Sequence, residues 1–373
     1  MELPATTIER EACTLAGYAM HSHQSRGRQH PEAEQSYRGP YQRDRDRIVH
    51  TSAFRRLSGK MQVFTGDMGD YHRTRLTHTH EVASIARTIG RALRLNEDLV
   101  ESLALFHDIG HPPFGHAGED ALNECLEHEG GFSHNRHALT IAEELEHPYA
   151  NFSGLNLTFE VLESQSTRIR KGAPSQPLLE AQVVEAADSM TYDAHDCDDA
   201  IKLRLVTLEE LAETALVGEA VRAVRQRFAN VAGDKLRRAV QRELLDRQVV
   251  DVLAVASQFL ITCADLSAEE VRRLTFRIGP SAAVREQKLE LERLLYDRVY
   301  RHPRLLEMRS GAQARLRQMF QGFVERPELL PPLYQQRLKS VGISRAVGDY
   351  LAGMTDRFCD QQFALHFCSP PAP

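Results

Sequence analysis

The chain has 373 residues, of which 42% are hydrophobic and 26% charged, and its formal net charge is −6. This length is ample for a large buried core, and the negative charge argues against nonspecific nucleic-acid binding over the whole surface. No stretch approaches the roughly 18 apolar residues of a membrane span, and the six cysteines show no CxxC spacing. We therefore expect a cytoplasmic protein with reduced thiols and no membrane anchor.

The chain divides into three parts by composition. Residues 1–40 are polar and rich in His, Gln and Ser, which predicts an arm or a flexible lead-in to the fold. The motifs follow in a predicted core at 41–205, and 206–373 carry Leu, Arg and Glu at helical spacing, which predicts a helical C-terminal region packed on that core. Strand-like alternation is scarce, apart from a short hairpin expected near GKMQVFTG. The predicted fold is all-α.

The first candidate metal ligand is a histidine in a predicted amphipathic helix. Val82, Ile85 and Ile89 recur at helical spacing within RTRLTHTHEVASIARTIG, and His78 lies on the same apolar face, four residues before Val82. His80 points to the opposite face and is expected to be solvated. A lone histidine on an apolar face is usually a core residue with a hydrogen bond, so the assignment depends on the other candidates.

The second candidate is a His-Asp pair at the end of an apolar run, LVESLALFHDIGHPPFGH. His107 and Asp108 come directly before Gly110, Pro112 and Pro113, which stop the predicted helix. A buried carboxylate beside an imidazole is costly unless the charge is paired or bound to a metal. The pair therefore indicates a metal site.

The third candidate lies in EAQVVEAADSMTYDAHDCDDAI, which begins apolar and becomes polar from Asp188 onward. This pattern is typical of a helix that packs in a core at one end and lines a cleft at the other. For Asp198 and Asp199, an acidic and solvated helix end is an equally good interpretation.

The candidate ligands together offer two imidazoles and two carboxylates. This mixed set suits one divalent ion such as Mn²⁺, Mg²⁺ or Fe²⁺ better than structural zinc, and it leaves positions open for water and phosphate. The four candidates are His78, His107, Asp108 and Asp188.

Seven sequence islands between about residue 44 and Phe358 resemble the deoxynucleoside triphosphate triphosphohydrolases of the HD-domain superfamily, the dGTPase-like proteins. In order they are RDRIVHTSAFRRLSGKMQVF, RTRLTHTHEV, HDIGHPPFGHAGED, GFSHN, GLNLTFEVLE, AADSMTYDAHDCDDA and DYLAGMTDRF. The resemblance implies an all-α HD core with a C-terminal helical extension and hydrolysis of dNTPs to deoxynucleoside and inorganic tripolyphosphate. It also implies a homo-oligomer and allows an activating dNTP at a second site.

The resemblance also implies a role for individual residues. The four candidate ligands match the family's metal ligands. His116 and Glu119, in GHAGE, match its acid/base pair, and His111 and His134 match histidines that line the phosphate site. The remaining matches contact the substrate: Arg75 the phosphates, Tyr192 and Asp196 the sugar and its 3′-hydroxyl.

Two other functions stay open at this point. The first alternative is an HD-type phosphodiesterase or phosphohydrolase that acts on another nucleotide. Only the predicted triphosphohydrolase releases tripolyphosphate, so product identity separates the two reactions. The second alternative is a non-catalytic protein that senses nucleotides or binds single-stranded DNA, and the retained His116 and Glu119 argue against it. The chain also departs from the family pattern at His137, in HNRH where Gln is frequent, and this departure bears on substrate preference and phosphate contacts. The sequence does not specify the preferred base or the native metal.

Overall fold

The computed structural model describes residues 5–33, 35–62, 73–169 and 176–367. Within these ranges the chain forms helices and no β-strand, and the extended pairings are isolated bridges such as that of Met61 with Thr74. The predicted all-α fold is therefore confirmed. Of the hairpin expected near GKMQVFTG, residues 63–66 lie outside the described ranges.

Eighteen α-helices are described. In chain order they are α1 (Thr7–Thr14), α2 (Pro40–Val49), α3 (Ser52–Arg56), α4 (Arg75–Ala92), α5 (Glu97–Phe106), α6 (Gly115–Cys125), α7 (His134–Thr140), α8 (Phe159–Ile169), α9 (Leu179–Lys202), α10 (Leu208–Leu211), α11 (Ala215–Arg227), α12 (Gly233–Leu260), α13 (Ala268–Val271), α14 (Ala282–Leu295), α15 (Pro303–Glu325), α16 (Pro332–Val341), α17 (Ile343–Ala352) and α18 (Asp356–Phe367). None of these helices is both long and apolar enough to cross a membrane.

One compact unit combines residues 1–46, 80–105 and 157–303. Its central helix is α9, which packs against α12 and α14. A buried ammonium joins these three helices, because Lys288 of α14 forms an ion pair with Asp193 of α9 and donates a hydrogen bond to Gln248 Oε1 of α12 at 3.0 Å. Lys288 therefore ties α9 to both of the helices that pack against it.

The N-terminal segment is an ordered part of the same unit. Helix α1 begins with a capping box, in which Thr6 and Glu9 each accept a hydrogen bond from the other's backbone N–H. Ala19 and Met20 are buried, and Met20 N–H donates to Glu180 Oε1 of α9 at 2.8 Å. Parts of this segment thus pack on the unit, while many of its other described residues are exposed, as the polar composition suggests.

The second compact unit combines residues 47–79, 106–156 and 304–373. Its core is formed by apolar side chains of α6, α15 and α17, including Leu122, Leu316 and Leu351, all of them fully buried. Phe323 meets Tyr350 edge to face, with ring centroids 5.4 Å apart. Helix α4 crosses from this unit into the first at residue 80, so His78 belongs to the second unit.

Candidate metal centre and active site

Two buried histidines mark the candidate metal centre. His78, in the first turns of α4, is 1% exposed, and His107, directly after α5, is 2% exposed. Their ring centroids lie 5.8 Å apart. His78 shares its helix face with Val82 and Ile89, both fully buried, whereas His80 is exposed. The helical spacing therefore predicted correctly which of the two histidines is buried and which is exposed.

Asp108 contacts the guanidinium of Arg75 and lies beside two imidazoles. Arg75 Nη1 donates to Asp108 Oδ2 at 3.0 Å, and Asp108 Oδ1 lies 3.2 Å from His111 Nε2 and 3.5 Å from His107 Nε2. Burial alone would raise the pKa of Asp108, but its interactions with His107, His111 and Arg75 outweigh burial and hold that pKa well below its usual range. The carboxylate is thus kept ionised in a nearly inaccessible place.

The turn after His107 and Asp108 depends on a glycine. A Cβ atom at Gly110 would lie 2.0 Å from the carbonyl oxygen of His134 and 2.5 Å from the backbone nitrogen of Ala138. Only a residue without a side chain lets the turn pack this closely against α7. Gly110 therefore places the His-Asp pair beside the start of the helix that carries His134.

A second group of side chains surrounds Glu119. The nitrogen Nδ1 of His134 lies 2.8 and 2.9 Å from the two Glu119 oxygens, and His134 N–H donates to Glu119 Oε1 at 2.9 Å. His116 Nδ1 lies 3.4 Å from Glu119 Oε2, and the His111 ring stacks on His134 at 3.8 Å. Glu119 is therefore shared by two imidazoles, and its closer partner is His134 rather than His116.

These side chains differ in exposure and charge. The His116 side chain is 53% exposed and that of Glu119 17%. Burial would raise the pKa of Glu119, but hydrogen bonds from His116 and His134 lower it far below its usual value. Burial and the charges of Arg75 and His134 lower the pKa of His111 well below the ordinary range. The group thus has an ionised carboxylate, a neutral buried imidazole and one accessible imidazole. The atoms of His111, Glu119 and His134 are also close enough to hold a metal ion.

Two residues that the sequence analysis did not assign position this region. Asp356 accepts hydrogen bonds from Phe114 N–H at 2.9 Å and Met61 N–H at 3.0 Å, and so anchors the start of α6. Lys60 donates to the carbonyl oxygens of His111 and Ala352 at 2.5 and 2.9 Å, and burial lowers its pKa to about 7. Asp356 lies in DYLAGMTDRF, the last of the seven sequence islands that carry the family resemblance.

In the first unit, helix α9 carries the other predicted site residues. Asp188 accepts a hydrogen bond from Arg168 of α8 at 3.0 Å. Asp196 is fully buried and accepts a hydrogen bond from the hydroxyl of Tyr300, which also lies 3.0 Å from the Tyr192 hydroxyl. Tyr300 was not predicted as a site residue. It ends a π-helical turn, Tyr296–Tyr300, whose extra residue changes the helical spacing.

The acidic end of α9 is not solvated. Asp198 and Asp199 are 3% and 4% exposed. Asp198 pairs with Arg237 and with Lys202, the latter at 2.7 Å, and Lys202 lies 3.5 Å from Asp199. The solvated interpretation was therefore wrong for both residues, because helix α12 supplies an arginine that the local sequence does not reveal.

His137, the departure from the family pattern, is a structural residue of the second unit. It is 4% exposed, and its Nδ1 lies 3.4 Å from Asp349 Oδ1 on α17. Arg337 Nε donates to the other oxygen of Asp349 at 2.7 Å. His137 therefore takes part in an ion-pair network with α16 and α17.

Two protein-family models match the chain. The HD domain model matches residues 75–193, which include every predicted site residue except Asp196. The phosphohydrolase-associated domain model matches residues 278–364, which include Tyr300. The matches thus cover both the candidate metal centre and the residue that contacts Asp196.

The chain is also similar to curated proteins over most of its length. A deoxyguanosinetriphosphate triphosphohydrolase-like protein of Bordetella pertussis is 44% identical over 92% of this chain and 94% of its own length. A protein of the same name from Ralstonia pickettii is 41% identical to this chain, over 96% of this chain and 95% of its own length. The corresponding protein of Nitrosomonas europaea is 39% identical, over 95% and 98%.

Proposed function

The chain belongs to the deoxyguanosinetriphosphate triphosphohydrolase-like family of HD-domain proteins, and from this premise we propose that it hydrolyses dNTPs to deoxynucleoside and inorganic tripolyphosphate. The coarser assignment, a phosphohydrolase, follows from the family itself. The observation that carries the finer proposal is the arrangement around Glu119, with the accessible imidazole of His116 on one side and the half-buried imidazole of His134 on the other.

The metal-binding part of the proposal concerns His78, His107, Asp108 and Asp188. Two buried imidazoles and an adjacent carboxylate held ionised in the second unit are a donor set that fits Mn²⁺, Fe²⁺ or Mg²⁺. Asp188, on α9 of the first unit, is the fourth ligand that the family resemblance implies. Such an ion, when bound, supplies Lewis acidity toward a phosphate oxygen.

The phosphate-binding part concerns Arg75. Its guanidinium is buried, donates to Asp108 and to the Gln62 carbonyl oxygen at 3.1 Å, and is thereby fixed in position. A fixed guanidinium can offset the negative charge that develops when water attacks the α-phosphorus. Because His111 is kept neutral by its surroundings, it can contact a phosphate oxygen or a water molecule without pairing permanently with Asp108.

The proton-transfer part concerns His116 and Glu119. When the bond between the α-phosphorus and the 5′-oxygen breaks, the leaving oxygen needs a proton. His116 directs Nδ1 toward the Glu119 carboxylate, so its Nε2 is the nitrogen that can deliver a proton to an external oxygen. Glu119 is itself held by His134, and this keeps the donor oriented.

The sugar-binding part concerns Tyr192 and Asp196. Both side chains project from one helix, α9, and the Tyr300 hydroxyl contacts both of them. A phenol ring beside C2′ leaves no room for a ribose 2′-hydroxyl, and a carboxylate recognises the 3′-hydroxyl. We therefore expect deoxynucleotides to be preferred over ribonucleotides.

The decisive experiment is a product analysis. The protein is incubated with each dNTP and Mn²⁺, separately and mixed in case one nucleotide activates hydrolysis of another, and the products are separated by anion exchange. Deoxynucleoside and tripolyphosphate in equal amounts are expected. Pyrophosphate or orthophosphate as the primary product would contradict the proposal, as would equal kcat/KM for dGTP and GTP.

A further inference from the structure

A group of three potential metal ligands lies in the first unit, on the N-terminal segment. Glu11 of α1, together with His21 and His23, presents one carboxylate oxygen and two imidazole nitrogens, all within 4.8 Å of one another. The two imidazole rings are 5.5 Å apart, centroid to centroid. None of these residues belongs to the metal centre described above.

The carboxylate is held in place between the two histidines. The residue between them, Ser22, donates from its backbone N–H and its hydroxyl to the two Glu11 oxygens at 2.7 and 2.5 Å. Asn96 Nδ2, just before α5, donates to Glu11 Oε1 at 3.1 Å. A carboxylate has about four lone-pair sites, so these three hydrogen bonds leave capacity for a cation.

The orientation of His21 also favours a cation. His21 Nε2 lies 3.0 Å from the carbonyl oxygen of Ala16, which can only accept, so Nε2 carries the proton. Nδ1 of His21 therefore keeps its lone pair, and the backbone hydrogen bond fixes this tautomer as it does for metal-bound histidines elsewhere. His23 is exposed and free to turn toward an ion.

A second buried carboxyl group, that of Glu180, lies nearby and shares hydrogen-bond donors with this segment. Glu180 is fully buried, and its Oε1 accepts hydrogen bonds from the backbone of Met20 and of Asn96, the residue that also binds Glu11. Its Oε2 has no hydrogen-bond partner within the described residues. Within those residues neither Glu11 nor Glu180 forms an ion pair with lysine or arginine. Glu11 is 7% exposed, and a buried ionised carboxylate without a positively charged partner is costly, so a cation bound at Glu11 would offset that cost.

We propose that Glu11, His21 and His23 form a second metal site, which binds a divalent transition-metal cation of the Zn²⁺ class. Two imidazoles and one carboxylate are a ligand set for such ions and leave a position for water. His23 is exposed, so the site is open to solvent on the side of this residue. The cation would join α1, the segment after it and the start of α5, and so hold the N-terminal segment on its unit. This inference does not depend on the proposed hydrolysis.

The test measures zinc binding in protein whose catalytic centre is already disabled. Asp108→Ala protein is stripped with a chelator, titrated with ZnCl₂ and analysed for bound zinc per chain and for its thermal midpoint. We expect zinc uptake that depends on the proposed site, and a higher midpoint. His23→Gln should weaken zinc affinity by at least about tenfold and reduce the shift in the midpoint. His128→Gln, a change at another exposed histidine, is the matched control and should bind zinc like its parent.

The outcomes are separable from each other and from the catalytic proposal. Equal zinc binding by the His23→Gln and His128→Gln proteins would overturn the inference, as would no zinc uptake by the parent. Glu11→Gln should abolish binding, but Glu11 is buried and the variant can fail to fold, so the exposed His23 decides. In protein with Asp108 intact, His23→Gln should retain dNTP hydrolysis with Mn²⁺.

Discussion

The proposed catalytic group of the second unit and the proposed sugar-binding group on α9 differ in how far apart their residues lie in the chain. His107 to His134 span fewer than thirty positions and are gathered by one turn and two short helices. In contrast, Tyr300 reaches Tyr192 and Asp196 from 108 and 104 positions away. A local motif can therefore be recognised from spacing alone, whereas a contact between distant helices cannot.

The two regions also treat buried carboxylates differently. Asp108 faces a guanidinium and two imidazoles, and its pKa is lowered despite burial. Asp193, next to Tyr192 on α9, is paired with Lys288 alone, and burial raises its pKa to about 6. The pKa of a buried carboxyl group therefore depends on whether its partners outweigh desolvation. At Asp108 the partners outweigh it, whereas at Asp193 they do not.

The largest effect is expected at Asp108. Asp108→Ala removes a proposed metal ligand and also leaves the buried Arg75 without its carboxylate, so turnover should fall by about 10³-fold. Bound metal, measured after desalting, should fall with it, while the helical circular-dichroism signal persists. His80→Ala, on the exposed face of α4, is the control. Near wild-type rate and metal content would refute the ligand assignment.

The next effect is expected at His116. If its imidazole protonates the leaving 5′-oxygen, His116→Ala should lower kcat by about 10²-fold with little change in KM. Initial rates over a range of dGTP concentrations measure both constants. A raised KM with kcat preserved would identify His116 as a binding residue, and His128→Ala should leave both constants unchanged.

The sequence predicts more of the catalytic group than of its surroundings, for identifiable reasons. The apolar face of α4 distinguished His78 from His80, because burial follows helical spacing. The same reasoning was wrong at Asp198, where the neutralising Arg237 comes from α12. It also gave no sign of Tyr300, because a π-helical turn breaks the spacing from which contacts are predicted. Composition describes residues 1–40 as polar. It cannot show that Glu11 and Met20 are buried, with hydrogen bonds from Asn96, just before α5, to both of them, and from Met20 to Glu180 of α9.

A moderate effect is expected at Tyr300. Tyr300→Phe removes the hydroxyl that hydrogen-bonds Asp196 and contacts Tyr192, so the proposed sugar-binding carboxylate loses a fixed orientation. We expect KM for dGTP to rise about tenfold with kcat largely kept, and discrimination against 2′,3′-dideoxy-GTP to fall by a similar factor. Tyr296→Phe, in the same π-helical turn but 56% exposed, should change neither. Unaltered selectivity in Tyr300→Phe would separate this residue from the sugar site.

The smallest effect on turnover is expected at Asp349, which tests whether the network around His137 is structural only. Burial would raise the pKa of Asp349, but His137 and Arg337 outweigh it and lower that pKa below the usual 3.8. The ion pairs therefore stabilise the fold fully above about pH 3.8, and this contribution is lost as pH falls through the lower pKa of the folded state. Asp349→Asn should reduce the free energy of unfolding by about 1.5–3 kcal/mol near neutral pH, with kcat unchanged. In urea titrations the difference from wild type should stay constant between pH 7 and about pH 5 and shrink below pH 3.8. A difference that grows with acidity, or a loss of kcat in folded variant protein, would contradict a purely structural role and would connect His137 to the catalytic group instead.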